Sequence, residues 1–399
     1  MLHSPRAARW PARVLDEHEA TSPPGDAERK ARLLVGLLAL VILMLVGGGL
    51  VGGEARQFAA IGATYAPFIL LAGLHQLRCR AAWAGVVAWI GFWLLLVGVA
   101  LGTLGLVGAA LLPDVGAPVP PETRARLLLA AGTLLLCLAL AVALVASGRW
   151  LVVGCWLGAR LDPMRLDHAQ GLVGLLCFCG IALVPLLALG GEPPLLRLIA
   201  RDPAAFTTTR GSAGQLTDEV YGLLWVLPFA LLGVGLPLRC GLRQALARLG
   251  IRPLPRRQLP LLLVVTLALV ALSFALDVLT ALIWGWLGWP RTSSEAVDRL
   301  FGAAISPVGA VTTGVTAGVG EELVARGLLQ PRCGWLLPNL AFAASHAYQY
   351  GLDGVLAVFI IGAALAAVRA RWSTSASMLV HGLYDFTLFF GSTIGLPGF

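Results

Sequence analysis

Three short groups of polar residues in the last hundred positions have the types and spacing that catalysis uses. Glu321 and Glu322 stand side by side in Val-Gly-Glu-Glu-Leu-Val-Ala-Arg, with Arg326 four residues past Glu322. Phe342 and His346 are four apart, as are His381 and Asp385. On a helix, residues at i and i+4 share a face, so Glu322 and Arg326 can pair and neutralise each other. Glu321 is then turned about 100° away, toward whatever the neighbouring helices present. A carboxylate that takes a proton from water, beside imidazoles that orient it or donate to a developing alkoxide, is hydrolytic chemistry.

The surroundings of these groups are apolar. Of 399 residues, 58% are hydrophobic and only 13% charged, about half the charge of an ordinary soluble domain. A single core cannot hide that much apolar surface, so a bilayer must cover it. The net charge of +8 does not point to nucleic acid, because the basic residues fall in short clusters between apolar runs rather than in a stripe. All but Lys30 are arginine, a bias that, with the many Ala, Gly and Pro residues, suggests a GC-rich bacterial genome. Seven cysteines are scattered without a CxxC pair, and small buried apolar residues is the reading that fits them.

A helix needs about 20 apolar residues to cross the hydrocarbon layer. Runs that qualify lie near 33–53, 58–77, 83–112, 127–147, 168–190, 221–238 and 260–289, with shorter or interrupted ones near 302–329, 337–350, 354–369 and 374–392. The expected fold is an all-α polytopic transmembrane helical bundle of about eleven spans. The expected organisation is a cytoplasmic polar tail at 1–32, an N-terminal transmembrane region at 33–290, and a catalytic helical core at 300–392. Arg29, Lys30 and Arg32 place the N-terminus in the cytoplasm of a multi-pass cell-membrane protein. Alternation then puts Arg78 and Arg80, Arg239 through Arg257, Arg326 with Arg332, and Arg369 with Arg371 on the same inner side. Arg124 and Arg126 are exceptions.

Depth brings the polar groups to one level. Counted from the inner turns near Gln330–Trp335 and Trp372, Glu321 lies about 13 Å in, His346 about 16 Å and His381 about 13 Å. Ionisable groups inside membrane helices are costly and usually functional. Asp277 in the seventh run reads as a polar lining or an acceptor for a neighbouring helix, His75 and His168 as interfacial, and Asn339 and Tyr384 as possible supports of the motifs.

The order EExxxR, FxxxH, HxxxD resembles the CAAX-protease and bacteriocin-processing (Abi) family of intramembrane glutamate endopeptidases, which includes type II CAAX prenyl endopeptidases. The resemblance covers about residues 300–392. It implies that Glu321 and His346 activate a water for attack on a peptide carbonyl, that His381 and Asp385 stabilise the oxyanion, that Glu322 and Arg326 support them, and that Phe342 shapes a substrate pocket. Many members carry Asn at the last position. An ionised Asp cannot donate a hydrogen bond, so Asp385 is either protonated or orients His381.

The resemblance implies no cofactor. One Glu and two His could alternatively hold a single divalent metal such as zinc, with an open position for water, but no HExxH pair occurs. The expected partners are the lipid bilayer and a membrane-associated peptide or protein substrate, with no nucleic acid. Two other classes stay open: a non-catalytic membrane adaptor or bacteriocin-immunity protein, and a transporter, although no paired halves are evident.

Overall fold

The computed structural model describes residues 24–78, 80–112, 118–146, 193–201 and 211–396. The expected run at 168–190, together with His168 and Cys79, lies outside the described residues. Those residues are helical, with no strand among them. The helices are α1 (Pro24–Val51), α2 (Gly53–Leu77), α3 (Ala82–Leu111), α4 (Pro121–Ala146), α5 (Pro194–Arg201), α6 (Gly211–Gly233) and α7 (Leu242–Arg248). They continue with α8 (Leu259–Leu287), α9 (Ser294–Leu300), α10 (Pro307–Glu322), α11 (Gln330–Cys333), α12 (Leu336–Ser345), α13 (Leu352–Arg371) and α14 (Thr374–Thr393).

Among the described residues, six helices are long and apolar enough to cross a membrane: α1, α2, α3, α6, α8 and α13. Leu43 on α1, Leu94 on α3 and Leu263 on α8 are exposed on this surface, as expected where lipid rather than protein covers a helix. The chain is thus an all-α, polytopic membrane bundle.

Two expectations need correction. Residues 24–32, assigned to a polar tail, form the first turns of α1, where Asp26 pairs with Lys30 at 2.8 Å and with Arg29 at 3.3 Å. Acids early in a helix and bases a turn later favour helix over tail. The run at 337–350 is not a span of its own. It is the ten-residue α12 followed by a 3₁₀ turn, His346–Tyr348, and ten residues rise only about 15 Å.

Side-chain contacts fix the helix directions. On α2 and α6, Gln57 bonds Asp218 and Gln76 bonds the carbonyls of Leu232 and Leu236, so the two run parallel. On α6 and α10, Glu219 meets Thr313 and Thr316, while Arg332 beyond α10 reaches the Gly233 carbonyl, so these also run parallel. The arginines that follow all three helices therefore gather at one end of the bundle, as the charge pattern requires.

The contact that builds the site is between α10 and α14, which run antiparallel and form the most extensive helix pair in the structure. Ser306 caps α10 by accepting from Gly309 N, with Pro307 at the first helical position, and Ser373 caps α14 by accepting from Ala376 N. Between them three glycines let backbone meet backbone. A Cβ on Gly318 would lie 2.7 Å from Gly382 Cα, and one on Gly382 would lie 2.7 Å from the Gly314 carbonyl oxygen. A Gly-xxx-Gly face of this kind lets membrane helices approach as larger residues do not. His381, next to Gly382, is carried directly against Glu321 and Glu322.

Candidate active site

Glu322 ends the regular α-helix of α10, and a π-helical stretch, Leu323–Leu329, follows it. Such stretches recur at functional sites. Glu322 is fully buried, with its side chain 0% exposed, and is held from three sides. Arg326 Nε lies 3.4 Å from Oε2, Ser377 Oγ donates to the same oxygen, and His381 Nδ1 is 3.1 Å from Oε1. A buried carboxylate is tolerable only with such partners. Arg326 is in turn buried, donates to the Gly362 carbonyl at 3.0 Å, and lays its guanidinium 4.9 Å from the centroid of Phe342. The Arg326 carbonyl accepts from Arg369 Nε at 3.0 Å.

Glu321 differs in kind. Its side chain is 39% exposed, and its nearest described polar partner is His381 Nε2 at 3.9 Å, beyond hydrogen-bond range. Asp385 Oδ2 approaches the same nitrogen at 3.4 Å. His381 is therefore boxed between Glu322 on one ring nitrogen and Asp385 with Glu321 on the other. Since a carboxylate oxygen accepts, Nδ1 is placed as the donor to Glu322, while Nε2 faces Asp385 without a hydrogen bond.

His346 stands in the turn after α12. Its Nδ1 lies 2.8 Å from the Phe342 carbonyl, and a carbonyl can only accept, so Nδ1 carries the hydrogen. In the neutral ring Nε2 is then left with a free lone pair. Phe342 links the two histidines: its ring lies edge-on to His346 at 4.9 Å and to His381 at 6.2 Å.

The structure thus gathers Glu321, Glu322, Arg326, Phe342, His381 and Asp385 into one contact network, and joins His346 to it through Phe342. Phe342 stands between His346 and His381, and Glu321 reaches this group through His381. Asn339 is buried, donating to the Phe359 carbonyl at 2.8 Å. A Cβ on Gly362 would lie 2.3 Å from Asn339 Oδ1 and 3.2 Å from Phe342, so the absence of a side chain at 362 lets α13 close on the back of the site. Tyr384 packs away among the apolar contacts of α8 and α13. His75 is buried at the end of α2. Asp277 is 69% exposed and pairs with Arg291 at 2.5 Å, beyond the end of its own helix rather than on a neighbouring one.

Two polar residues escaped the sequence reading. Ser377 lies four residues before His381, so a helical wheel could have placed it on the site's face. Glu219 of α6 accepts from Thr313 at 2.9 Å and Thr316 at 3.0 Å. It stands beside Asp218 just ahead of the run at 221–238, and nothing local marks it, since its partners are more than ninety residues away.

Among the described residues no group of three or more His, Cys, Asp or Glu side chains has the arrangement of a metal site. No curated protein and no solved structure matches the chain. Residues 303–387 do match one family, described as type II CAAX prenyl endopeptidase Rce1-like. That stretch contains both acids, the π-helical turn, both histidines and Asp385, and the similarity to this family is confined to it.

Proposed function

We infer that the protein is an intramembrane endopeptidase that cleaves a membrane-associated peptide or protein with a water activated by Glu321 and His346. The observation that carries this reading is the contrast between adjacent acids: Glu322 is compensated by Arg326, His381 and Ser377, while Glu321 is open and unbonded beside His381.

Glu321 takes a proton from water whose other hydrogen is accepted by the free Nε2 of His346. Water oxygen bonds to the scissile carbonyl carbon, and the tetrahedral intermediate forms. On collapse the C–N bond breaks and the amine leaves with the proton held by Glu321. Glu322 and Arg326 act as positioning residues through His381. The site opens toward the arginine-rich end of the bundle, which faces the cytoplasm in this reading.

The chemistry is metal-free. A single zinc ion on Glu321, His346 and His381 is the rival, and it would have to take His381 Nε2, which lies 3.4 Å from Asp385.

The test compares the membrane proteomes of cells carrying the wild-type chain and Glu321→Gln. A precursor that accumulates in the variant, and again in His346→Ala, is expected, with chelators leaving wild-type processing unchanged. Identical proteomes in all three strains end the reading, and chelator-sensitive processing replaces it with the zinc mechanism.

A further inference from the structure

Peptide hydrolysis places a requirement on the site that the motif residues do not meet. When water adds to a carbonyl, the π electrons move to oxygen, and preorganised donors must receive that oxyanion. The resemblance assigns this to His381 and residue 385. Here His381 directs Nδ1 at Glu322, 3.1 Å away, and Nε2 at Asp385 and Glu321, 3.4 and 3.9 Å away. Asp385 is engaged with His381, its Oδ2 3.4 Å from Nε2. The one N–H of neutral His346 donates to the Phe342 carbonyl. Arg326 lies over the Phe342 ring and donates to Gly362. The walls are rich in acceptors and poor in free donors.

Arg326 Nη1 has no hydrogen-bond partner but is sealed from solvent; Tyr350 is an uncommitted donor beside His346. Its ring stacks on His346, with centroids 5.9 Å apart and planes within 3°, and its backbone N–H bonds the His346 carbonyl at 2.9 Å. Gly354 gives it room, since a Cβ there would lie 2.7 Å from Tyr350 Cβ. The phenol stands within electrostatic reach of Asp385 and Glu321, and its hydroxyl makes no hydrogen bond among the described residues. Tyr384, by contrast, packs among the apolar contacts of α8 and α13. Packing alone is the competing account, because Phe301 also stacks on Tyr350 at 6.3 Å. A phenylalanine would keep that packing and lose only the hydroxyl.

We propose that Tyr350 donates its phenol hydrogen to the oxyanion of the tetrahedral intermediate, and that Asp385 serves to fix His381. The proposal rests on the endopeptidase reading. Water oxygen bonds to carbon as Glu321 takes the water proton, the carbonyl pair moves to oxygen, and that oxygen accepts from Tyr350. On collapse the carbonyl re-forms, the amine departs with the proton from Glu321, and Tyr350 keeps its own.

The test uses the purified full-length chain in detergent with a peptide mixture prepared from a bacterial membrane fraction. New N-termini are identified by mass spectrometry, and the best-cleaved peptide is resynthesised for kcat and KM. Tyr350→Phe is expected to lower kcat by about 100-fold or more, the size of effect seen for loss of an oxyanion donor, with KM and thermal stability near wild type. Asp385→Asn, which adds a neutral donor, is expected to recover part of that loss in the Tyr350→Phe background, a gain that a packing defect does not show. Tyr65 on α2 also lies within electrostatic reach of Glu321, and Tyr65→Phe is expected to stay near wild type. An unchanged kcat in Tyr350→Phe, a pure rise in KM, no recovery in the double variant, or a loss confined to Tyr65→Phe overturns the assignment and leaves the endopeptidase standing. Absence of cleavage by the wild-type chain, or equal cleavage by Glu321→Gln, removes the endopeptidase itself.

Discussion

The substitution Gly318→Ala adds one methyl group in the close backbone seam between α10 and α14. The new Cβ would lie 2.7 Å from both the Cα and the amide nitrogen of Gly382, and 2.9 Å from the Met378 carbonyl oxygen. All three are backbone atoms, so no side chain can swing aside. Restoring ordinary contact at 3.4 Å or more requires the helices to part by about 0.7 Å. His381 on α14 bonds Glu322 on α10 at 3.1 Å, and the same parting stretches that bond to about 3.8 Å, beyond useful length. A displacement of 1 Å at a catalytic centre can cost about a hundredfold in rate, so a loss on the order of 30-fold is expected here. Overpacking adds about 1–3 kcal/mol of destabilisation. Cleavage rate and thermal unfolding in detergent read the two effects separately. Gly285→Ala on α8 is the control, because a Cβ there meets nothing within 4 Å. If Gly318→Ala cleaves at the wild-type rate, the glycine seam does not set the geometry of the site.

Two other perturbations test the scaffold. Arg326→Met removes the guanidinium from a fully buried carboxylate, and unfolding by about 3–5 kcal/mol is expected; the double variant Glu322→Gln with Arg326→Met should be more stable than Arg326→Met alone, as a thermal scan of detergent-purified protein would show. Glu219→Ala deletes the acceptor through which α6 holds Thr313 and Thr316, and about 1.5–3 kcal/mol should be lost, whereas Glu219→Gln keeps an amide carbonyl oxygen and should lose less. Equal stabilities for Ala and Gln at 219 would show that this link contributes nothing.

The parts of the molecule that were legible in advance are those written in short-range spacing. Glu322 with Arg326, and His381 with Asp385, sit one helical turn apart in sequence and meet in the structure because a helix imposes that neighbourhood. Depth counting put Glu321 and His381 at one level from the fixed rise per residue, and their helices, α10 and α14, lie side by side in the structure. The same counting failed for residues 337–350. Their apolar side chains, such as Ala341 and Ala343, are buried against other helices, and composition alone does not distinguish a helix that faces protein from one that faces lipid. The π-helical turn at Leu323–Leu329 has no marker in residue type. Glu219 was missed because its threonine partners belong to a helix more than ninety residues away, a distance that only the folded chain closes. The glycines at 314, 318 and 382 were visible as letters, but their value lies in a face-to-face registry that the order of residues does not disclose.

Leu323, Leu328 and Leu329, in the π-helical turn, share one buried cluster with Leu34 of α1, Ile69 of α2, and Trp225 and Phe229 of α6. The turn that carries the arginine bracing Glu322 is therefore rooted in packing supplied by α1, α2 and α6. Residues 303–387, cut free, would carry every ionisable group of the centre and yet offer those leucines to acyl chains, which make no shape-specific demand on them. The N-terminal helices thus serve as a mould around the reactive turn, and what is grafted with the motifs to another protein would have to include that mould.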